Sequence, residues 1–504
     1  MEFQFFSFPM ISTFALFILL CIAKLVKNNS YPSSNLPPGP WKLPFIGNLH
    51  QLASSAPHRR LRDLANKYGP LMHLQLGEVS IVIVSSPDMA EAVMKTHDIK
   101  FASRPQNMCS RIISYNTTNI AFAPYGEYWR NMRKICTQEL LTTKRVLSLR
   151  PIREEEMANL NKFALSSEGN PINLTEKIIS TMFRVISRAA IGGQLKDMGL
   201  LVSAINEAVK IATGFNPVDF FPSISFIHSI SRVKAKMEAA HKEIDRILGN
   251  VIREHELSLE GTSDTEVNED LVHVLLKLKN DVEFPLKDSN IKAIILDILG
   301  AASDTSAKTV DWAMSELLKN PIKMEKVQEE VRRLFDKTGD VDESEIHKLK
   351  YLNVVIKEVL RLHPPAPLLL PRESREKCVI NGYEIPSNTQ VLINGWALGR
   401  DPKYWDEAEK FNPERFLNSS IHFNGNDFEY IPFGAGRRIC PGMAFGLTNV
   451  EYFLANLLFH YDWKLPNGMK EQDIDMTEAF GATMGRKHDL LIVPTVHKKS
   501  VLAR

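Results

Sequence analysis

The chain has 504 residues, 44% of them hydrophobic and 24% charged, with a formal net charge of +2. That composition excludes a disordered or fibrous protein, and the near-neutral balance supplies no global field for nucleic acid or an acidic partner. The five cysteines, Cys21, Cys109, Cys136, Cys378 and Cys440, are widely spaced without a C-x-x-C pair. This excludes a disulfide framework and a zinc site among the cysteines and fits a reducing, cytosol-facing compartment.

The first element in chain order is "FQFFSFPMISTFALFILLCIA", Phe3 to Ala23, 21 residues without a charge. As a helix it spans roughly 30 Å, the thickness of a bilayer core. Lys24 and Lys27 follow, and only Glu2 precedes, so the positive-inside bias leaves the remainder in the cytosol. A cleaved secretory signal would carry a basic leading region and a small-x-small site, and neither is evident. Residues 1–24 therefore read as a membrane anchor. On that topology the sequons at Asn28, Asn116, Asn173 and Asn418 stay free of glycan. Residues 25–45 read as a linker and hinge stiffened by Pro37, Pro38, Pro40 and Pro44. The rest, 46–504, reads as one large α+β domain, mainly helical with a smaller β-rich part.

Within it, "LMHLQL" and "VSIVIVSS" predict a β-hairpin across Gly77-Glu78. Helical patterns follow, among them "EYWRNMRKICTQELL", and dominate from about 171 to 335. The Phe-rich "GFNPVDFFPSISF" interrupts them, either as a membrane-dipping or ligand-gating loop or as packed surface turns. Residues 290 to 320 predict a helix of about 30 residues, capped by Asp288 or Ser289 and stopped by Pro321. Its first half is apolar nearly all round, which means burial. Ser303, Asp304, Thr305 and Ser306 then break the apolar run. A hydroxyl beside a carboxylate suits a proton relay; the alternative is hydroxyls bonded back to main-chain carbonyls. "KEVLRLH" sets Glu358 and Arg361 three apart on one helix face, and "VINGYEIPSNTQVLIN" predicts an Asn-Gly turn between short strands.

Near the end stands "FGAGRRICPG", 433 to 442. Its glycines allow unusual backbone angles or close approach, and Arg437 and Arg438 bring positive charge beside Cys440 that favours the thiolate. The apolar helical stretch that follows would aim its first amides back at the sulfur. Such a loop suits a ligand thiolate held near something large and anionic.

These motifs together resemble the cytochrome P-450 superfamily of haem-thiolate monooxygenases, over essentially the whole chain. Phe433, Gly436, Arg438, Cys440 and Gly442 fill the fixed positions of its cysteine loop, F-x-x-G-x-R-x-C-x-G. Its E-x-x-R falls on Glu358 and Arg361, its P-E-R-F on Pro413 to Phe416, and its W-x-x-x-R on Trp129 and Arg133. The resemblance implies haem b with Cys440 as axial ligand to the iron. It implies a buried Glu358–Arg361–Arg415 network, and Trp129, Arg133, Arg372 and Arg438 as partners of the haem propionates. It also implies Asp304 and Thr305 as the acid–alcohol pair for proton delivery. One departure is Ala302, where the family has glycine. No dinucleotide fingerprint follows a strand, so electrons are expected from NADPH through a separate membrane-bound reductase. Arg130, Lys134, Lys144 and Arg145 form a basic patch that either docks it or is a solvated helix face.

The hinge, "FAPYGEYWRNMRKIC" and "LPRES" are most similar to plant microsomal (A-type) members, implying a single-pass protein of the endoplasmic reticulum membrane. "SELLKNP" and "NGYEIP" are similar to the terpenoid-oxidising subgroup, including casbene-type diterpene oxidases. The resemblance assigns the pocket to 103–124, 215–227, Leu296, Ala301, Ala302, Thr305, Ala366, Leu368, Leu369, Leu370 and Phe480. That lining is largely apolar and suits a small apolar substrate, a sesquiterpene or diterpene hydrocarbon. Other plant metabolites, a haem isomerase or dehydratase on the same fold, and a non-enzymatic haem scaffold stand as alternatives.

Overall fold

In the computed structural model the described residues are 35–52, 54–193, 195–213, 216–224, 226, 231–261, 270–281, 283–481, 483–497, 500 and 502. The predicted anchor lies outside them, and no described helix is long and apolar enough to cross a membrane.

Helix α1 (Pro57–Tyr68) starts with proline in its first turn, where the missing N–H costs nothing. Strands β1 (Leu71–Leu76) and β2 (Val79–Val84) then pair antiparallel, as predicted. Gly77 turns between them at φ +60°, and a Cβ there would stand 2.4 Å from the Phe220 carbonyl oxygen. The turn is therefore also a docking point for the Phe-rich segment. Glu78 N–H donates to Phe220 O at 2.8 Å, and Ser223 N–H donates to Glu78 Oε2 at 3.0 Å. The described part of that segment packs on the hairpin as a short helix, Pro217–Phe220, followed by a turn, and it leaves Phe226 69% exposed.

The helical part comprises α2 (Glu127–Ile135), α3 (Arg150–Ser166), α4 (Leu174–Ile191), α5 (Met198–Thr213), α6 (Val233–Gly261) and α7 (Leu271–Lys277). It continues with α8 (Asp288–Lys319), α9 (Lys350–Leu362) and α10 (Met443–His460). Short β3 (Arg372–Glu373), β4 (Cys378–Ile380), β5 (Tyr383–Ile385) and β6 (Gln390–Ile393) lie between α9 and α10. The Asn381–Gly382 turn joins β4 to β5 with φ of +48° and +80°, the left-handed pair that favours Asn-Gly. β6 runs parallel to β2, with β3 along its other edge in the order β1-β2-β6-β3.

The 32 residues of α8 span roughly 48 Å at 1.5 Å per residue. The helix starts at Asp288 with Lys287 as N-cap, so neither predicted cap residue holds that position. Asn290 Oδ1 instead accepts the Lys287 N–H at 2.9 Å, capping from inside the first turn. Pro321 opens a further helix, Pro321–Phe335, between α8 and α9, with Asn320 as the break. α8 packs against α4 and α10, and its apolar residues join one large core with those two, α6 and α9. Midway the burial lapses: Ala301 is exposed and Gly300, Ala302, Asp304 and Thr305 are half-buried. An open face in the middle of a core helix marks the site.

Candidate active site

The Cys440 loop is shaped by its glycines. Gly434 and Gly436 take φ of +73° and +67°. A Cβ at Gly436 would stand 2.1 Å from the Met94 carbonyl oxygen, so no other residue fits without moving main chain. Cys440 N–H donates to Phe433 O at 2.9 Å and closes the loop. Gly442 is different: its φ is −93° and an added Cβ would meet no protein atom within 4 Å. The chain's own packing does not demand glycine there. Gly446, one turn into α10, faces Ser306 of α8, with 3.5 Å between an added Cβ and Ser306 Oγ. The sulfur-bearing end of α10 thus packs on α8 at Ser306, the residue after Thr305.

Cys440 retains partial surface exposure while protein atoms crowd it. Burial pushes its thiol up, opposed by the Gly442 N–H and by Arg133. The amide at the start of α10 points back as expected, but the helping cation is not one of the adjacent arginines. Arg437 faces outward, its side chain 48% exposed. Arg438 spends its donors on the carbonyls of Ala102 (2.7 Å), Ile120 (3.2 Å) and Ala123 (2.5 Å).

Around the loop gather Arg104, Arg133, Arg372 and Arg438, with Asp98 as the close carboxylate among the described residues, accepting from Arg372 Nη1 at 2.9 Å. Burial, with Arg372 and Arg133 close by, pulls Arg438 down to about 9. Burial likewise holds Arg104 well below the usual arginine range, helped by Arg438 and Arg372. Burial also lowers Arg133, whose guanidinium has no hydrogen-bond partner among the described residues. Trp129 donates its one N–H to Ile120 O at 3.0 Å, and its ring carries the Arg438 guanidinium at 4.1 Å. It steadies Arg438. An excess of buried cations, one of them unpartnered, next to a thiol and an open helix face fits an iron porphyrin with two carboxylates.

On α8 the two predicted relay groups are not joined. Thr305 Oγ1 donates to Ala301 O at 2.7 Å, and Ser303 bonds back to Leu299 O, which is the back-bonded alternative. Asp304 turns away to Lys308 Nζ at 2.9 Å and to the Thr483 hydroxyl. Leu296 lies mostly in the core, 9% exposed. The residue on the open face at that level is Asp297, four before Ala301. Of the other pocket residues, Ala366 is half-buried and Leu370 is 44% exposed. Leu368 and Leu369 pack on two separate cores of the sheet region, and Phe480 stacks on His58 at 5.8 Å.

Sequence reasoning missed Asp297. Its carboxylate accepts from Asn119 Nδ2 (2.6 Å), Ile120 N (2.9 Å) and Ala121 N (3.1 Å). The carbonyls of the same two residues face the other way: Ile120 O accepts from Trp129 and Arg438, and Ala121 O from Arg104 at 3.1 Å. Residues 119–121 thus clamp the open face of α8 to the arginine cluster. Burial raises Asp297 to about 6 against the pull of those three donors. A lone Asp inside the apolar "IILDIL" was the available signal.

Behind the site, Glu358 and Arg361 are fully buried and paired at both ends, 2.7 and 2.8 Å. Arg415 Nε reaches Glu358 Oε1 at 3.1 Å. Asn412 N–H donates to the same oxygen at 2.8 Å, and the carbonyls of Gly399, Ala408 and Lys410 take the remaining Arg361 donors. The three residues form the expected network, anchoring α9 to the segment before the Cys440 loop.

The cytochrome P450 family model matches residues 37–493. Premnaspirodiene oxygenase of Hyoscyamus muticus is 50% identical over 501 residues, 99% of each chain. Amorpha-4,11-diene 12-monooxygenase of Artemisia annua is 49% identical over 479 residues, 95% of this chain and 96% of its own. A solved zebra fish cytochrome P450 with progesterone matches in fold, with a TM-score of 0.75 at 23% identity over 87% of this chain and 99% of its own.

Proposed function

The chain belongs to the cytochrome P450 family, and on that premise we propose that it is a monooxygenase placing one oxygen atom of dioxygen into an apolar terpene hydrocarbon. The carrying observation is Cys440 at the start of α10, beside the open face of α8 and an arginine excess. When bound, haem b supplies the iron that activates dioxygen. The chain's own work is to hold and to shield. Cys440 would supply the thiolate that holds the iron, kept in place by its N–H to Phe433 O and tuned by the Gly442 amide and Arg133. Arg133, Arg372 and Arg438 would hold the two haem propionates. Thr305 holds a hydroxyl proton on the open face, while Asp304, through half-buried Lys308 and Thr483, is the exchange point with solvent. For the pair to act together, Asp304 leaves Lys308 and turns toward Thr305. Ala302 narrows the same groove by one methyl.

The substrate reading rests on the apolar lining and on the diene hydrocarbons in the relatives' names. It covers sesquiterpene and diterpene hydrocarbons, casbene-type macrocycles included. Electrons come from NADPH through a reductase, for which exposed Arg130, Lys134 and Lys144 supply a docking face. Residues 1–24 anchor the protein to the endoplasmic reticulum membrane with the catalytic part, 46–504, in the cytosol. Exposed Trp41 (72%), Ile46 (38%), Ile224 (39%) and Phe226 (69%) support this, since the Gly77–Glu78 turn ties their segments together close to the hinge.

The test is turnover of a panel of terpene hydrocarbons by microsomes carrying the protein and a plant reductase. Oxygenated product that requires NADPH and carries label from ¹⁸O₂ supports the reading. Product from a hydroperoxide without reductase would point to an isomerase instead. Cys440→Ala should abolish the carbon monoxide signature of thiolate ligation, and Thr305→Ala should keep haem but divert NADPH from product to peroxide.

A further inference from the structure

A second set of ligating side chains stands apart from the Cys440 site, where α4, α6 and α7 meet. His255 lies on α6, Asp270 is the N-cap of α7, and His273 is in its first turn. Asp270 is seated there because residue 192, past the end of α4, is glycine. Its φ is +80°, and a Cβ would stand 2.2 Å from Asp270 Oδ2.

His255 Nδ1 lies 2.7 Å from the carbonyl of Val251 and donates to it. Its other nitrogen, Nε2, lies 2.9 Å from Asp270 Oδ2 and 3.1 Å from the carbonyl of Ile191. With the proton on Nδ1, three electron-pair donors converge, so a cation must sit among them: a second proton on His255 or a metal ion. His273 separates the two. Its Nδ1 is 2.9 Å from Asp270 Oδ1, its ring 4.6 Å from that of His255, and it is 7% exposed. Neither of its ring nitrogens has a hydrogen-bond partner among the described residues. A proton on His255 leaves this buried imidazole unsatisfied, at a cost of order 1–3 kcal/mol, whereas a metal ion takes up its lone pair.

We propose that His255 Nε2, the Asp270 carboxylate and His273 Nδ1 bind a divalent transition metal, zinc by preference, whose fourth position is open to the Ile191 carbonyl or water. The ligand atoms all lie within 4.8 Å of one another. Zn²⁺ at about 2.0–2.2 Å from imidazole nitrogen and carboxylate oxygen suits that set. The Val251 carbonyl orients His255 from behind, as outer hydrogen bonds do for ligating histidines. The ligands join α6 to the start of α7 beside the last residue of α4, so the ion is a structural tie.

The experiment uses tag-free, full-length holoprotein. After dialysis against Zn²⁺ and then metal-free buffer, elemental analysis should find one zinc per chain beside the iron. His273→Asn and His255→Gln should each lower zinc retention by at least about tenfold, with the carbon monoxide spectrum unchanged. In the wild type, Zn²⁺ should slow amide exchange around 251–255 and 271–274. That reading stands even if a variant fails to fold. No retained zinc, retention undiminished in both variants, or protection only elsewhere would each overturn the proposal.

Discussion

Two clusters of buried arginine flank the Cys440 loop, and they differ in how their charge closes. Behind the loop, Glu358 takes both ends of Arg361 and one donor of Arg415, and main-chain carbonyls satisfy the rest. In front of it, Arg372 alone of the four guanidiniums pairs with Asp98, burial and the neighbouring guanidiniums hold Arg104 and Arg438 down, and half-buried Arg133 has no hydrogen-bond partner among the described residues. A buried charge that closes within the chain is architecture. A buried charge that does not close is a place kept for a ligand of opposite sign.

The strongest way to break that comparison is Glu358→Gln. It leaves Arg361 buried without its counter-charge, which costs roughly 3–5 kcal/mol. The expected outcome is loss of most folded protein, read by thermal unfolding and by haem content. A stable, haem-loaded variant would show that the rear network does not hold the fold.

Arg133→Ala should do the reverse. Removing an unpartnered cation leaves the apoprotein as stable as before or more so. It also removes a charge-assisted contact of about 1.5–3 kcal/mol with the haem. Haem loss to apomyoglobin should therefore speed up roughly tenfold or more while the apoprotein melting temperature does not fall. A drop in that temperature would make Arg133 structural after all.

Asp297→Asn sharpens the boundary between the two kinds of charge, because this carboxylate is closed by donors yet faces the open side. Its folded pKa of about 6 lies above the unfolded value near 3.8, so the native state binds more protons between those limits. The contribution to stability is full below about 4 and is lost as pH rises through 6. Denaturant midpoints of wild type minus variant should rise as pH falls across that window. At neutral pH the weaker acceptor should loosen residues 119–121, changing the product ratio more than the total rate. A flat pH difference would remove the clamp.

Much of this was legible in the chain itself. Cys440 and its glycines, Glu358 with Arg361, the hairpin at Gly77 and the turn at Asn381–Gly382 were readable because each depends on neighbours in sequence or on a local backbone angle. Roles set by distant groups were not readable. Trp129 is four residues before Arg133 in sequence, but in the fold it meets Ile120 O and the Arg438 guanidinium. Asp304 sits beside Thr305 in sequence, but Lys308 and Thr483 draw its carboxylate away. Arg438 stands two residues from Cys440, but carbonyls from 102–123 occupy it and Arg133 does its electrostatic work.

The sequence by itself determined the long buried helix, the ligand loop and the rear ion pair, because helix period, glycine geometry and i, i+3 spacing act over a few residues. Only the tertiary structure decided which cation meets the sulfur, which carboxylate holds the loop over α8, and which histidine is left unsatisfied beside Asp270. Hydrogen bonds and buried charges answer to whatever lies within about 3 Å, and chain order does not record that.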